Sequence, residues 1–289
     1  MSEHHNYEKE ANQAFRQLDQ RLREEDLVPN QKVHTFQRYW IAAAVLVIIL
    51  ASAALWPTWF TSAQSEVAVS QIEKSTLPGQ RTRFQLPDGT KVYLNADSRF
   101  TYPSAFAEQR IVYLSGEAFL EVAHDADRPF IVRTEEATVQ VLGTSFNVKA
   151  HKDQPTEAVV VSGKVAFNAI NHPESRMLLQ PNDKAVLNAT TGETIQSLVD
   201  ATSYTAWTNG TLIFDNQPLG EVFTELARWY GMTITVENPT IRECRVTAKF
   251  DDLSLATVLD QLQFVVPITY QLEEKRISIG GDSCEKEML

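Results

Sequence analysis

The chain is 289 residues long, with 26 Lys and Arg against 37 Asp and Glu and a formal net charge of −11. This acidity argues against nucleic-acid binding, which uses Lys and Arg to displace phosphate counterions, and an apolar fraction of 43% argues against wholesale disorder. At about 100–150 residues per domain, there is room for two modest domains beside a shorter segment.

Residues 1–38 hold six Lys and Arg and seven Asp and Glu, so nearly all of the net charge lies further on. Within Glu8–Glu25, Ala11, Phe15, Leu18 and Leu22 recur at helical spacing and put one apolar stripe on a charged segment. A lone helix of this length is marginal in water. The stripe therefore needs a partner protein, a membrane surface or a second copy.

The next stretch, YWIAAAVLVIILASAALWPTWF, covers residues 39–60, and no charged residue occurs from Tyr39 through Ser65. Its apolar part is close to the roughly 20 helical residues that cross a hydrocarbon core. The eight Leu, Ile and Val residues from Ile41 to Leu55 favour insertion by about 2–5 kcal/mol in total. Tyr39, Trp40, Trp56, Trp59 and Phe60 sit at its two ends, where amphipathic rings anchor in the headgroup region, and Pro57 stops the helix. Arg21, Arg23, Lys32 and Arg38 precede the run, while the first basic residue after it is Lys74. The expectation is a single-span membrane protein with a cytoplasmic N-terminus and the remaining two hundred or so residues outside. A signal peptide cleaved after Ala63 is the rival reading, but 38 residues precede the apolar run, more than such peptides carry.

Residues 61–200 read as all-β. Short runs rich in β-branched and aromatic residues (KVYLN at 91–95, RIVYL at 110–114, FIVRT at 130–134, SFNVKA at 145–150, KAVLN at 184–188) are separated by turn signals at Asp88-Gly89, Ser115-Gly116, Gly143, Ser162-Gly163 and Asn182-Asp183. In SFNVKA, Phe146, Val148 and Ala150 alternate with Ser145, Asn147 and Lys149, which predicts one buried and one wet face. VYLSGEAF at 112–119 echoes VVVSGKVAF at 159–167. Such repetition predicts a double-sheet roll or jelly-roll of about a dozen strands.

From residue 207 to 281 the period is mixed. Leu219, Val222, Phe223, Leu226, Ala227 and Tyr230 keep helical spacing between Pro218 and Gly231, and MTITV follows at 232–236. FDNQPLGEVFTELARWYGMTITVE at 214–237 aligns without gaps on FDDLSLATVLDQLQFVVPITYQLE at 250–273. The expectation is a small α+β domain of duplicated βαβ units, ended by the strand RISIG at 276–280 and a tail at 282–289.

Catalytic constellations are absent from this sequence. GTSFNV lacks the second glycine and the strand-to-helix context of a nucleophile elbow. His124, His151 and His172 fall in separate loops as surface histidines, not at metal spacing. Asp215 and Asp251, repeated just before the two helices, are better read as helix caps, along with Asn216 or Ser254, than as a carboxylate pair. Phe119, Phe130 and Phe146 read as core. Cys244 and Cys284 form a disulfide or remain two thiols; both alternatives stand.

The succession LPDGTKVYLNADS (86–98), VYLSGEAFLEV (112–122), RPFIVRT (128–134), VLGTSFNV (141–148), VSGKV (161–165) and WTNGTLIFDNQPLGEVFTELARWYGMTI (207–234) resembles FecR-type membrane anti-sigma factors of Bacteroidetes. Their C-terminal domain is similar to the short secretin and TonB-receptor signalling fold. The resemblance implies an extracytoplasmic-function (ECF) sigma factor held at the cytoplasmic end, here by Ala11, Phe15, Leu18 and Leu22. It also implies a periplasmic body that senses the signalling domain of a TonB-dependent outer-membrane transporter, periplasmic or intramembrane proteases that act on the chain, no cofactor and no enzymatic activity. Asn182 stands where the family has Gly after a late Pro; Asn tolerates a left-handed backbone, so the turn is expected to survive. Residues 1–38 are shorter than the helical sigma-binding region the resemblance implies. Two rivals are a membrane-anchored periplasmic scaffold without sigma binding, and an envelope glycan binder or hydrolase built on the roll.

Overall fold

A computed structural model describes residues 69–152, 154–188, 191–282 and 284, with Ala44 and Leu46. The stripe of Ala11, Phe15, Leu18 and Leu22 and the anchors Tyr39, Trp40, Trp56, Trp59 and Phe60 lie outside the described residues. Among the described residues no helix is long and apolar enough to cross a membrane.

Thirteen strands build the first domain: β1 (Gln71–Thr76), β2 (Thr82–Gln85), β3 (Lys91–Leu94), β4 (Ser98–Pro103), β5 (Arg110–Glu121), β6 (Phe130–Arg133), β7 (Ala137–Val141), β8 (Ser145–Ala150), β9 (Thr156–Ser162), β10 (Val165–Ala169), β11 (His172–Leu179), β12 (Asp183–Leu187) and β13 (Thr194–Leu198). Their order is β11-β10-β7-β6-β5-β8-β9-β12-β13, with β4 and β1 on one flank of β5 and β3 and β2 on the other. All pairs are antiparallel except β5 with β6. The residues on alternate strand positions meet inside, where Phe100, Phe130, Phe146, Phe167, Leu94 and Leu120 are fully buried. Each contributes about 1.5–3 kcal/mol of burial.

Strand β5 is the hinge between the two halves of this roll. Residues 110–113 pair with β6, whereas 118–121 pair with β3 and 116–121 with β8. The expected turn at Ser115-Gly116 is therefore wrong: the chain continues as one strand and Gly116, at φ 104°, bends it from one half to the other. A glycine flanked by polar residues looks the same in sequence whether it reverses a strand or kinks it. Asn182 does adopt the left-handed backbone, at φ 70°. Arg110, wholly buried, pins the start of β5 by an ion pair with Asp88 at 2.8 Å and a bond to Ala123 O.

Helix α1 (Ala201–Thr205) and a 3-10 turn (Ala206–Asn209) lead to the second domain: β14 (Thr211–Pro218), α2 (Leu219–Tyr230), β15 (Thr233–Val236), a 3-10 turn (Pro239–Glu243), β16 (Arg245–Asp251), α3 (Leu255–Val265), β17 (Ile268–Glu273) and β18 (Arg276–Gly281). The strand-helix-strand order occurs twice, but the strands of one repeat do not pair with each other. β14 pairs with β16, and β18 lies between β15 and β17. Residues matched between the repeats occupy equivalent buried positions, Val222 with Val258 and Leu226 with Leu262.

Of the expected caps, only Ser254 is found; Asp215, Asn216 and Asp251 cap neither helix. Helix α2 begins after Pro218 with no side-chain cap, and Leu219 N–H is satisfied by Cys244 O at 2.7 Å. Ser254 caps α3 by accepting from Thr257 N–H, while Asp251 accepts from Thr211 Oγ1 at the end of β16. Asp215 is exposed within β14, and Asn216 donates its own N–H to Thr247 Oγ1 and offers the helix no cap. Pro218 supplies the extended entry, so an Asp three residues upstream is too far away to reach the free N–H groups.

Cys244 and Cys284 are joined, with Cα atoms 5.6 Å apart and 40 residues of separation. Closing a loop of that length stabilises by about 2–4 kcal/mol through the unfolded chain. Cys284→Ser should lower stability in urea by about that amount, and added reductant should not lower it further.

Candidate functional site: the cleft between the two domains

The two domains share a polar seam. On β8, Phe146 and Val148 face the roll core, yet Asn147 on the opposite row is also buried, at 3% exposure, so the expected wet face fails there. Trp207 covers it, donating from Nε1 to Asn147 Oδ1 at 3.1 Å. Asn147 Nδ2 in turn donates to one oxygen of Glu117 at 2.8 Å, and Asn95 Nδ2 to the other at 2.7 Å. Phe119 belongs to this side as well: it packs on Tyr93 and the second-domain core, not the roll core that Phe130 and Phe146 fill.

Charges complete the seam. Lys149 Nζ lies 2.8 Å from Glu225 Oε2 on α2, and Arg228 Nη1 lies 3.2 Å from the same oxygen. Burial pushes the Glu117 carboxyl above its ordinary range against the pull of Lys149 and the two amides. Burial also opposes ionisation of Glu225 and Lys149, but Lys149 and Arg228 outweigh it and hold Glu225 below its ordinary value. Glu225 and Glu117 likewise hold Lys149 above its own. His151, expected on the surface, is buried; burial, with Arg228 and Lys149 nearby, depresses it to about 3, so it is neutral at physiological pH. His124 instead lies against Gly143, and His172 pairs with Glu174 at 3.2 Å.

The C-terminal end of helix α2 is held to the roll by further contacts. Gly79 N–H, in the β1–β2 turn, donates to Arg228 O at 2.7 Å, and the Arg81 guanidinium stacks 3.6 Å over the Trp229 ring. A Cβ on Gly231 would lie 2.8 Å from Pro78 O, so this close approach requires glycine. The strand that begins the described body is thus clamped directly to the second domain.

Beside the seam opens a cleft of about 490 Å³, with Glu117, Lys149, Glu157 and Lys184 among its first-domain lining and the whole of β14, Glu221 and Arg245 on the other side. Lys184 is paired with Glu157 at 2.8 Å and stacks on Tyr204. The cleft is within the size range of binding sites, roughly 300–1,000 Å³. The cations of its first-domain wall are paired, Lys149 with Glu225 and Lys184 with Glu157. Among the described residues no group of three His, Cys, Asp or Glu side chains is placed to hold a metal.

Sequence periodicity missed the seam because polar residues covered by another domain look like solvated ones. The available signal was Trp207, an indole among Thr and Asn residues whose buried N–H must find an acceptor.

The profile of the FecR protein family matches residues 73–166, and that of the FecR C-terminal domain matches residues 211–279. No curated protein matches the chain. Two crystal structures of a candidate anti-sigma factor from Parabacteroides distasonis, at 1.65 and 2.50 Å, are similar in sequence and fold. The first is 39% identical with a TM-score of 0.68, covering 73% of this chain and all of that one. The second is 38% identical with a TM-score of 0.69, covering 74% and all of it. The seam joins residues from both matched regions, Glu117, Asn147 and Lys149 in the first and Glu225 and Arg228 in the second, and on these grounds the chain belongs to the FecR family.

Proposed function

We propose that the chain is a single-pass anti-sigma factor of the inner membrane. Its residues 1–38 hold an ECF sigma factor in the cytoplasm, residues 39–60 cross the bilayer, and the periplasmic body receives the signalling domain of a TonB-dependent outer-membrane transporter. The observation that carries this reading is similarity to an anti-sigma candidate over both folded domains and the whole of its crystallised chain. A regulatory family also favours a binding role over an enzymatic one. The second domain, likened to the secretin and TonB-receptor signalling fold, serves as the receptor. Arrival of the transporter's domain is relayed through the α2 clamps to β1 and the span, and proteolysis by periplasmic or intramembrane proteases then alters the supply of sigma.

In the cytoplasmic half, the apolar stripe occupies a hydrophobic groove of sigma in the helix-in-groove mode. A bacterial two-hybrid assay of residues 1–38 against the sigma factor encoded nearby should give a signal. Leu18→Asp should abolish it, since burying an unpaired carboxylate costs more than the contact supplies. Equal signals from parent and variant would remove the stripe from the interface. For the periplasmic half, the body should retain the transporter's signalling domain in a pull-down, and no retention with either loaded or unloaded transporter counts against it.

A further inference from the structure

One unpaired strand edge of the second domain faces the cleft. β14 hydrogen-bonds only to β16 in its sheet, and Thr211 to Pro218 line the cleft along their length, whereas β16 contributes Arg245 alone. The ladder determines which backbone groups are spare. Asp252 N–H donates to Gly210 O at 3.1 Å, and the register places Leu212 opposite Phe250 and Phe214 opposite Ala248. Because hydrogen-bonded and non-bonded pairs alternate in an antiparallel ladder, Leu212 and Phe214 bond to β16. Thr211 and Ile213 therefore turn their N–H and C=O groups the other way, toward the cleft. A bulge between Phe214 and Gln217 then ends the first run of the ladder, which resumes at Gln217 and Pro218. At that end stands Asp215, exposed and without a hydrogen bond or ion pair to its carboxylate among the described residues.

We propose that this edge of β14 takes up an extended polypeptide segment of a partner by strand addition, with a β-branched residue beside Ile213 and a basic residue beside Asp215. Spare main-chain donors and acceptors are complemented by another main chain, and cross-strand pairs of these types are the favourable ones. A charged small molecule fits less well. The cations on the opposing wall are committed, Lys184 to Glu157 and Lys149 to Glu225, each at 2.8 Å. The inference rests on the second domain being the receptor for a periplasmic partner, and it selects the edge that partner uses.

The test uses the full chain in detergent and a fluorescein-labelled hexapeptide that alternates Thr and Val and ends in Lys, followed by anisotropy. Saturable binding is expected, weakened at least about tenfold, or about 1.4 kcal/mol, by Ile213→Pro. That substitution removes a donor the β14–β16 ladder does not use, and proline is tolerated where the strand N–H faces outward. Should the variant not fold, the same peptide N-methylated at alternate residues decides the matter on the unsubstituted chain and is expected to lose binding by a similar factor. The Ile213 amide should exchange freely in the unliganded chain and become protected with peptide. Three results would overturn the proposal: equal affinity for the N-methylated peptide, no saturation by about 1 mM, or an Ile213 amide already protected by another segment or copy. If Ile213→Pro folds and still retains the transporter's signalling domain, strand addition at β14 is wrong while the receptor reading stands.

Discussion

Lys149→Met is expected to destabilise the two-domain body by about 3 kcal/mol, since breaking a buried ion pair costs about 3–5 kcal/mol. The lower end applies because 26% of the Lys149 side chain remains in contact with solvent. Methionine keeps the length and apolar stem of lysine, so packing changes little and the loss is electrostatic. Without the ammonium, Glu225 keeps only Arg228, and Glu117 keeps only the Asn95 and Asn147 amides. In a body of roughly 220 residues, 3 kcal/mol lowers Tm by about 6–12 °C. A double variant, Lys149→Met with Glu225→Gln, should recover part of the loss, with a coupling of about 1–3 kcal/mol. Strict additivity would mean that the pair does not couple the domains. Because α2 also carries the Gly79 and Arg81 contacts, Lys149→Met should loosen β1 as well, read as faster amide exchange over Gln71–Thr76.

Much of the architecture is legible from periodicity because each element buries one face against a core of its own domain. SFNVKA falls on β8 from Ser145 to Ala150, and Leu219, Val222 and Leu226 line α2 as spaced. What periodicity cannot see is a polar residue paired with a distant one. Glu117, Asn147 and Lys149 look solvated on their strands, and only the docking of Trp207, 60 residues from Asn147, and Glu225, 76 residues from Lys149, covers them. His151 is misjudged for the same reason. The strand pairing of the second domain is hidden for another. The repeat fixes the order of elements, but β18, which has no counterpart in the first repeat, inserts between β15 and β17 and keeps them apart. The left-handed Asn182 was accessible because it is a local property, decided by the residue's own tolerance of positive φ.

Gly116→Ala is expected to cost about 2–6 kcal/mol, a large loss for one added methyl group, because two penalties combine. The backbone at φ 104° lies outside what an L residue adopts without about 1–3 kcal/mol of strain. The added Cβ would also come within 2.6 Å of Ser98 Cα and Cβ, so the start of β4 must shift, at a further cost of about 1–3 kcal/mol, as overpacking usually exacts. Ser98 has little freedom to yield. Its hydroxyl accepts from Glu117 N–H at 2.8 Å, and its own N–H donates to Thr76 Oγ1 at 3.1 Å, so displacing it disturbs the pairing of β1 with β4 and the seat of Glu117 together. Gly89→Ala separates the penalties. Its φ is 89°, but the nearest atom to a new Cβ is Gln85 Nε2, a mobile side-chain end at 3.7 Å. That variant should lose only about 1–2 kcal/mol, the left-handed penalty alone. Urea unfolding of the two variants compares them directly: equal losses would mean that the sheet switch at β5 has room to relax, and that Gly116 serves its backbone angle only. A larger loss at Gly116, accompanied by weaker amide protection in β1 and around Asn147, would identify this kink as the joint that holds β1 and the interdomain seam in one rigid piece.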